Sequence, residues 1–181
     1  MAAHPGRLMW DSGVIPGDAP LDEEVGRVLI EHILHRKGRD VATIPADAPV
    51  ADAVARLRER NVGALVVTAP ESEPSQAATG GLSGILSERD IVRALAGGAD
   101  PGAVLAGPVS ALMSTDLTTC GPRATVDELM RVMTDRRIRH IPVIDGGRLA
   151  GIVSIGDVVK SRIDELQTEA EALHEYLSSG R

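Results

Sequence analysis

Gly84-Ile85-Leu86-Ser87-Glu88-Arg89-Asp90 returns 67 residues later as Gly151-Ile152-Val153-Ser154-Ile155-Gly156-Asp157, with Gly, Ile, Ser and Asp at the same four places. In each copy an apolar run ends at a serine, and a carboxylate follows three positions on, which reads as a strand running into the first turn of a helix. A duplicated strand-turn-helix unit with a hydroxyl and a carboxylate at its turn suggests two related ligand sites rather than one catalytic centre.

The duplication extends outward from this motif. A shift of 76 positions lays Val50 on Val126, Arg60 on Arg136, Val62 on Ile138 and Val67 on Val143. From Leu82 onward the shift is 67, so the first copy is nine residues longer. The extra residues fall in Ala69 to Gly81, a Pro-, Ser- and Gly-rich stretch that reads as an exposed, mobile loop.

The 181 residues suffice for one sizeable domain or two small ones sharing a core, and a 43% hydrophobic content is that of a soluble globular chain. With no Phe, one Trp (Trp10) and one Tyr (Tyr176), the core must be aliphatic, and stacking platforms for single-stranded nucleic acid are missing. The net charge of −7 also argues against a nucleic-acid backbone as partner. No apolar run reaches the roughly 20 residues that cross a bilayer, and no signal peptide is evident, so a cytoplasmic location is expected. Cys120 is the single cysteine, with no disulfide or Cys-X-X-Cys partner, and a buried thiol is its expected state.

Each copy reads as β-α-β-β-α. The predicted first strands are Val41 to Ile44 and Leu117 to Cys120. Helices follow, with Val50, Ala53, Val54 and Leu57 on one face and Val126, Leu129, Met130 and Met133 on the other copy's, the second capped by Thr125. The hairpins are Gly63 to Thr68 with Leu82 to Leu86, and His140 to Ile144 with Leu149 to Val153, the latter turning at Asp145-Gly146-Gly147. The closing helices start near Glu88 and Ile155. Before the repeats, 1–20 looks irregular and Leu21 to Leu34 helical. After them, Val159, Ile163, Leu166, Ala170, Leu173 and Leu177 form a heptad seam, packed either on its own domain or against a partner subunit.

These paired elements, the two G-h-h-S-x-x-D signatures (h apolar) and Arg139-His140-Ile141-Pro142-Val143-Ile144-Asp145 resemble a tandem pair of CBS domains, also called a Bateman module, of the stand-alone bacterial kind. The resemblance covers about residues 28 to 165. It implies an α/β (α+β) fold with an N-terminal extension over 1–27, repeats over 28–97 and 98–165, and a C-terminal helix over 166–181. It also implies binding of an adenosyl ligand, AMP, ADP, ATP, NAD or S-adenosylmethionine, between the repeats, in a regulatory homodimer that modulates another protein. The alternative is a ligand-independent interaction or assembly scaffold.

In the family each cleft takes its Asp from one repeat and its adenine-facing strand from the other. Carried over, the first cleft combines Ser87 and Asp90 with Leu117, Thr118, Arg139, His140 and Pro142. The second combines Ser154 and Asp157 with Val41, Ala42, Gly63, Ala64 and Val66, with Arg89 reaching toward it. A carboxylate suits the role because it accepts hydrogen bonds from both ribose hydroxyls. Arg139 and His140 put one or two cations beside the first cleft, where Gly63 and Ala64 stand at the second. The first is therefore the expected phosphate site, and the second is either weaker or suited to a less charged ligand.

Plainer roles stand beside these. Ser87, Asp90, Ser154 and Asp157 also suit helix caps, and Arg136 and Arg137 suit a helix C-terminus without any ligand. No nucleophile elbow, P-loop or metal-ligand pattern is present, so neither catalysis, nor a catalytic cofactor, nor a metal is expected. Glu88 is the nearest approach to a base, and a charged residue is ordinary at a helix start.

Overall fold

The computed structural model describes residues 14–15, 28–69 and 81–179. Its strands form where apolar residues run or alternate. Ala64–Thr68 (β3) is buried on both faces over its first four residues, whereas Leu82–Ser87 (β4) alternates buried and half-buried positions. The two pair antiparallel, and Thr43–Pro45 (β2) adds parallel to β3, giving the order β2-β3-β4. Val50–Arg60 (α2) and Glu88–Ala96 (α3) complete the first repeat.

The second repeat has the same design. Thr119–Cys120 (β5) leads to Val126–Asp135 (α5), then His140–Asp145 (β6), Arg148–Ser154 (β7) and Ile155–Ser179 (α6). The duplication reaches fine detail. The β3–β4 ladder shifts register at Val67/Thr68, and the β6–β7 ladder at the matching Val143/Ile144. Helices α2 and α5 both give way to a left-handed residue, Asn61 (φ 50°) and its counterpart Arg137 (φ 55°). Gly146 and Gly147, both at positive φ, make the two-residue turn between Asp145 and Arg148, as a hairpin of that length requires. Thr125 caps α5, accepting from Glu128 N at 3.2 Å while Thr125 N donates to the Glu128 carboxylate at 2.9 Å.

Two expectations at the N-terminus change. Val14–Ile15, expected to be irregular, is a strand (β1) that pairs parallel with β5 and buries Ile15 in the second repeat's core. Of the helix expected over Leu21 to Leu34, the described part begins at Ile30 and runs on to Lys37 (α1). Leu29 is extended instead, because it bridges to Thr125 while Val28 O accepts from Val126 N. Residues 16–27 lie outside the described residues, as does most of the long loop; its ends close through Ala69 N to Gly81 O at 2.9 Å.

Packing does not follow the chain order of the repeats. Ile30, Ile33 and Leu34 of α1, which precede the first repeat, belong to the second repeat's core with Cys120, Leu129, Ile141 and Val153. Conversely Val109, in a short 3-10 turn ahead of the second repeat, is buried in the first core with Leu57, Leu65 and Leu86, and Leu105 of Pro101–Ala106 (α4) packs against it. The exchange is hydrogen-bonded at both sites: Val109 N donates to Ala48 O and Ile30 N to Ala124 O.

This exchange explains the glycines of the repeated motif. A Cβ on Gly151 would lie 2.5 Å from Leu34 Cδ2, and one on Gly84 would lie 2.7 Å from Met113 Sδ and 3.0 Å from Ser114 O. Each glycine is the seat for the segment that leads into the other repeat. The helix expected over 166–181 is the continuation of α6, unbroken from Ile155 to Ser179. Among the described residues no helix is long and apolar enough to cross a membrane.

Candidate functional site

The β4–α3 junction presents Ser87 and Asp90 as one unit. Ser87 N and Ser87 Oγ both donate to Asp90 Oδ2, at 2.9 and 2.5 Å, which ties the carboxylate across the helix start. Capping and ligand contact are compatible here, because the cap uses one oxygen and Oδ1 faces Arg93 at 4.0 Å. A cleft of about 440 Å³ opens beside this junction. All seven residues expected of the first cleft line it: Ser87 and Asp90 from one repeat, and Leu117, Thr118, Arg139, His140 and Pro142 from the other.

One arginine, Arg139, was expected here, and five line the cleft. Arg89, Arg93, Arg136 and Arg137 join Arg139, against the carboxylates of Glu88, Asp90 and Asp116. Arg136 Nη1 donates to Thr118 Oγ1 at 3.0 Å. Arg89 does not turn to the second cleft as expected: its Nη1 donates to Arg137 O at 3.2 Å, across the first. Glu88 N donates to Gly63 O, which anchors the start of α3 on that side. Arg93 had a readable signal, since it stands one helical turn beyond Asp90 on the same face. The clustering of Arg136 and Arg137 had none, because a basic helix end is also ordinary surface chemistry.

His140 is half-buried and held below the usual histidine range, chiefly by burial, then by the charges of Lys37 and Arg139, with Asp157 opposing. It is therefore neutral at pH 7, so the pair Arg139–His140 supplies one cation, not two. Gly63, expected at the second cleft, lines the first, and the His140 ring lies 3.5 Å from where its Cβ would stand.

The second Ser-x-x-Asp turn repeats the cap and adds a cation. Ser154 N and Oγ donate to Asp157 Oδ2 at 2.8 and 2.7 Å, and Lys37 Nζ donates to the same oxygen at 2.6 Å and to Ile152 O at 3.2 Å. Burial pushes the Asp157 carboxyl up, but hydrogen bonds from Lys37 and Ser154 and the lysine charge outweigh it and hold the group below its ordinary value. Val41 and Ala42 are half-buried ahead of β2, Ala64 and Val66 are buried in β3, and Val66 N donates to Ala42 O at 3.0 Å. Lys37 was not anticipated at this site.

Cys120 is buried between β1 and β6, and its thiol is pushed up to about 12 by burial and the Glu128 charge, so it stays protonated. Among the described residues no cluster of three or more His, Cys, Asp or Glu is arranged to hold a metal ion.

A family model for the CBS domain matches residues 30–97 and again 109–164. The chain is 38% identical over 135 residues to the CBS domain-containing protein CBSX3, mitochondrial, of Arabidopsis thaliana, covering 74% of this chain and 62% of that one. It thus spans less than two thirds of that relative's length. Among solved structures it is similar to a CBS-domain containing protein from Agrobacterium tumefaciens, 40% identical, with a TM-score of 0.67 over 77% of this chain and 96% of the other. It is also similar to a CBS domain protein from Pyrobaculum aerophilum complexed with AMP, 27% identical, with a TM-score of 0.59 over 72% of this chain and 89% of the other. With a twofold family match over most of its length and a β-α-β-β-α unit behind each match, the chain belongs to the CBS-domain family as a tandem pair.

Proposed function

We propose that this CBS pair is a regulatory module that binds a phosphorylated adenosyl ligand in the Asp90 cleft and passes the binding signal to a partner protein. The observation that carries the reading is the convergence of Asp90 and five arginines on one cleft. Asp90 Oδ1 takes the ribose hydroxyls, Leu117, Thr118 and Pro142 flank the base, and Arg139 with the neighbouring guanidiniums takes the phosphates. His140, being neutral, serves as a hydrogen-bonding group rather than a countercharge. This charge pattern favours AMP, ADP, ATP or NAD over the sulfonium of S-adenosylmethionine. The similar Pyrobaculum protein complexed with AMP supports the ligand class. No catalytic role is assigned to any residue, and the single cysteine, which allows no internal disulfide, fits a reducing setting such as the cytoplasm.

A homodimer completes the reading. Along α6, Val159, Ile163 and Leu166 are about half exposed and Leu173 and Leu177 are 63% and 73% exposed, leaving the heptad seam uncovered in the single chain. Val54, Val62 and Val92 similarly line a groove of about 690 Å³ between α2 and α3. The same exposed surfaces favour the second reading, an assembly scaffold that needs no ligand.

A thermal-shift series separates the two. AMP, ADP, ATP or NAD at millimolar concentration raises the melting temperature of the wild-type chain by mass action, and S-adenosylmethionine does not. Asp90→Ala abolishes that shift while the oligomeric state is unchanged. No shift with any nucleotide, or full binding by Asp90→Ala, returns the chain to the scaffold reading.

A further inference from the structure

We infer that the second cleft is disabled from within: Lys37 neutralises the Asp157 carboxylate that a ligand's ribose would use, so the pair binds one nucleotide per chain rather than two. The inference rests on the nucleotide reading for its occupancy, while the lock itself is a property of the ligand-free protein.

The lock is built by the exchange of segments. Leu34 of α1 is seated on Gly151, and Lys37 stands one helical turn further on the same face, which carries its ammonium to the Ser154–Asp157 turn. Arg36 clamps the same turn of α1 to α6 through Asp164, at 2.7 Å. The Lys37–Asp157 contact spans 120 positions of sequence and is only partly exposed, with side chains 36% and 22% accessible. Oδ2 already takes three hydrogen bonds and Lys37 neutralises the carboxylate charge, so Asp157 is a weaker acceptor for a ribose than Asp90 even through Oδ1.

The first cleft lacks the corresponding cation. There Met113 covers Gly84 as Leu34 covers Gly151, and three residues beyond Met113 stands Asp116 where Lys37 stands beyond Leu34. Asp116 lines the first cleft, and an acid cannot neutralise Asp90. Among the described residues Asp90 meets no cation closer than Arg93 at 4.0 Å, whereas Asp157 is met at 2.6 Å. The two Ser-x-x-Asp turns thus differ in what the segment leading into the opposite repeat brings to the aspartate: Lys37 meets Asp157 at 2.6 Å, and Asp116 stands at the matching place beside the first cleft.

Calorimetric titration with AMP and with ATP tests the occupancy. Wild type binds one equivalent per chain. Lys37→Met binds two, and the added equivalent disappears in Lys37→Met/Asp157→Asn, while Asp157→Asn alone keeps one. Two equivalents in the wild type, or one in Lys37→Met, overturns the inference. Thermal melts without nucleotide test the lock independently. Lys37→Met and Asp157→Asn each lower the melting temperature by about 2–4 °C, and the double variant falls no further than the lower single. Additive losses overturn the lock. If neither wild type nor Lys37→Met binds nucleotide, the nucleotide reading and the single-occupancy claim both fail, and the melts alone decide whether Lys37 and Asp157 are coupled.

Discussion

His140 shows how one residue's surroundings set its chemistry. Its ring is packed over Gly63 between the two Ser-x-x-Asp turns, and the charged groups around it are Lys37, Arg139, Asp157 and Glu88. Burial and the two cations lower its proton affinity in the folded chain, while the unfolded chain protonates it near 6.5. As pH falls below that value the unfolded state binds the extra proton, so stability declines; above it the contribution is fully present. Melting temperature should therefore drop between pH 7 and 5 in wild type and drop less in His140→Gln. An equal drop in both would mean that His140 carries no such linkage. Asp157 works in the same direction at lower pH: its depressed carboxyl stabilises the fold above 3.8 and loses that contribution as pH falls through its folded value.

At the scale of elements, the glycine of each repeated motif had no role in a reading of the motif alone. Its reason lies on another element. Leu34 is 2% exposed and its Cδ2 would lie 2.5 Å from a methyl group at Gly151, so the substitution forces Leu34 to shift within a filled core or α1 to move on β7. Gly151→Ala should cost about 1–3 kcal/mol in urea unfolding, the usual range for overpacking a filled core. Leu34→Ala/Gly151→Ala should lose less than the two single losses together, because the smaller side chain makes room for the new methyl. Strands and helices were legible because apolar periodicity is local: helix starts at Glu88, Val126 and Ile155 and the Gly146-Gly147 turn are all set by neighbouring residues. The start of α1 was not, because Val28 and Leu29 are drawn into extended pairing by Val126 and Thr125, far along the chain.

For the whole molecule, the uncovered seam on α6 is the feature that a single chain leaves unsolved. The proposed homodimer would bury it, and charge placed there should prevent that. Leu166→Asp/Leu173→Asp is expected to run at the mass of one chain in size-exclusion light scattering where wild type runs at twice that mass, with helicity and the Asp90-cleft thermal shift retained. A dimer that survives the double substitution would move the interface to another surface, such as the valine-lined groove between α2 and α3.

The duplication, the β-α-β-β-α order and the two Ser-x-x-Asp turns are legible along the chain, since each element is written in residues a few positions apart. The seven first-cleft residues came from the family resemblance, and all of them are among the residues that line the cleft. Folding in three dimensions is what makes the repeats exchange their leading segments, gathers four further arginines with Arg139 and lays Lys37 on Asp157. The physical reason is range. A cap or a turn is fixed by local backbone geometry, whereas the charge that meets each carboxylate arrives on a segment packed from the other repeat, and no periodicity along the chain records where that segment comes to rest.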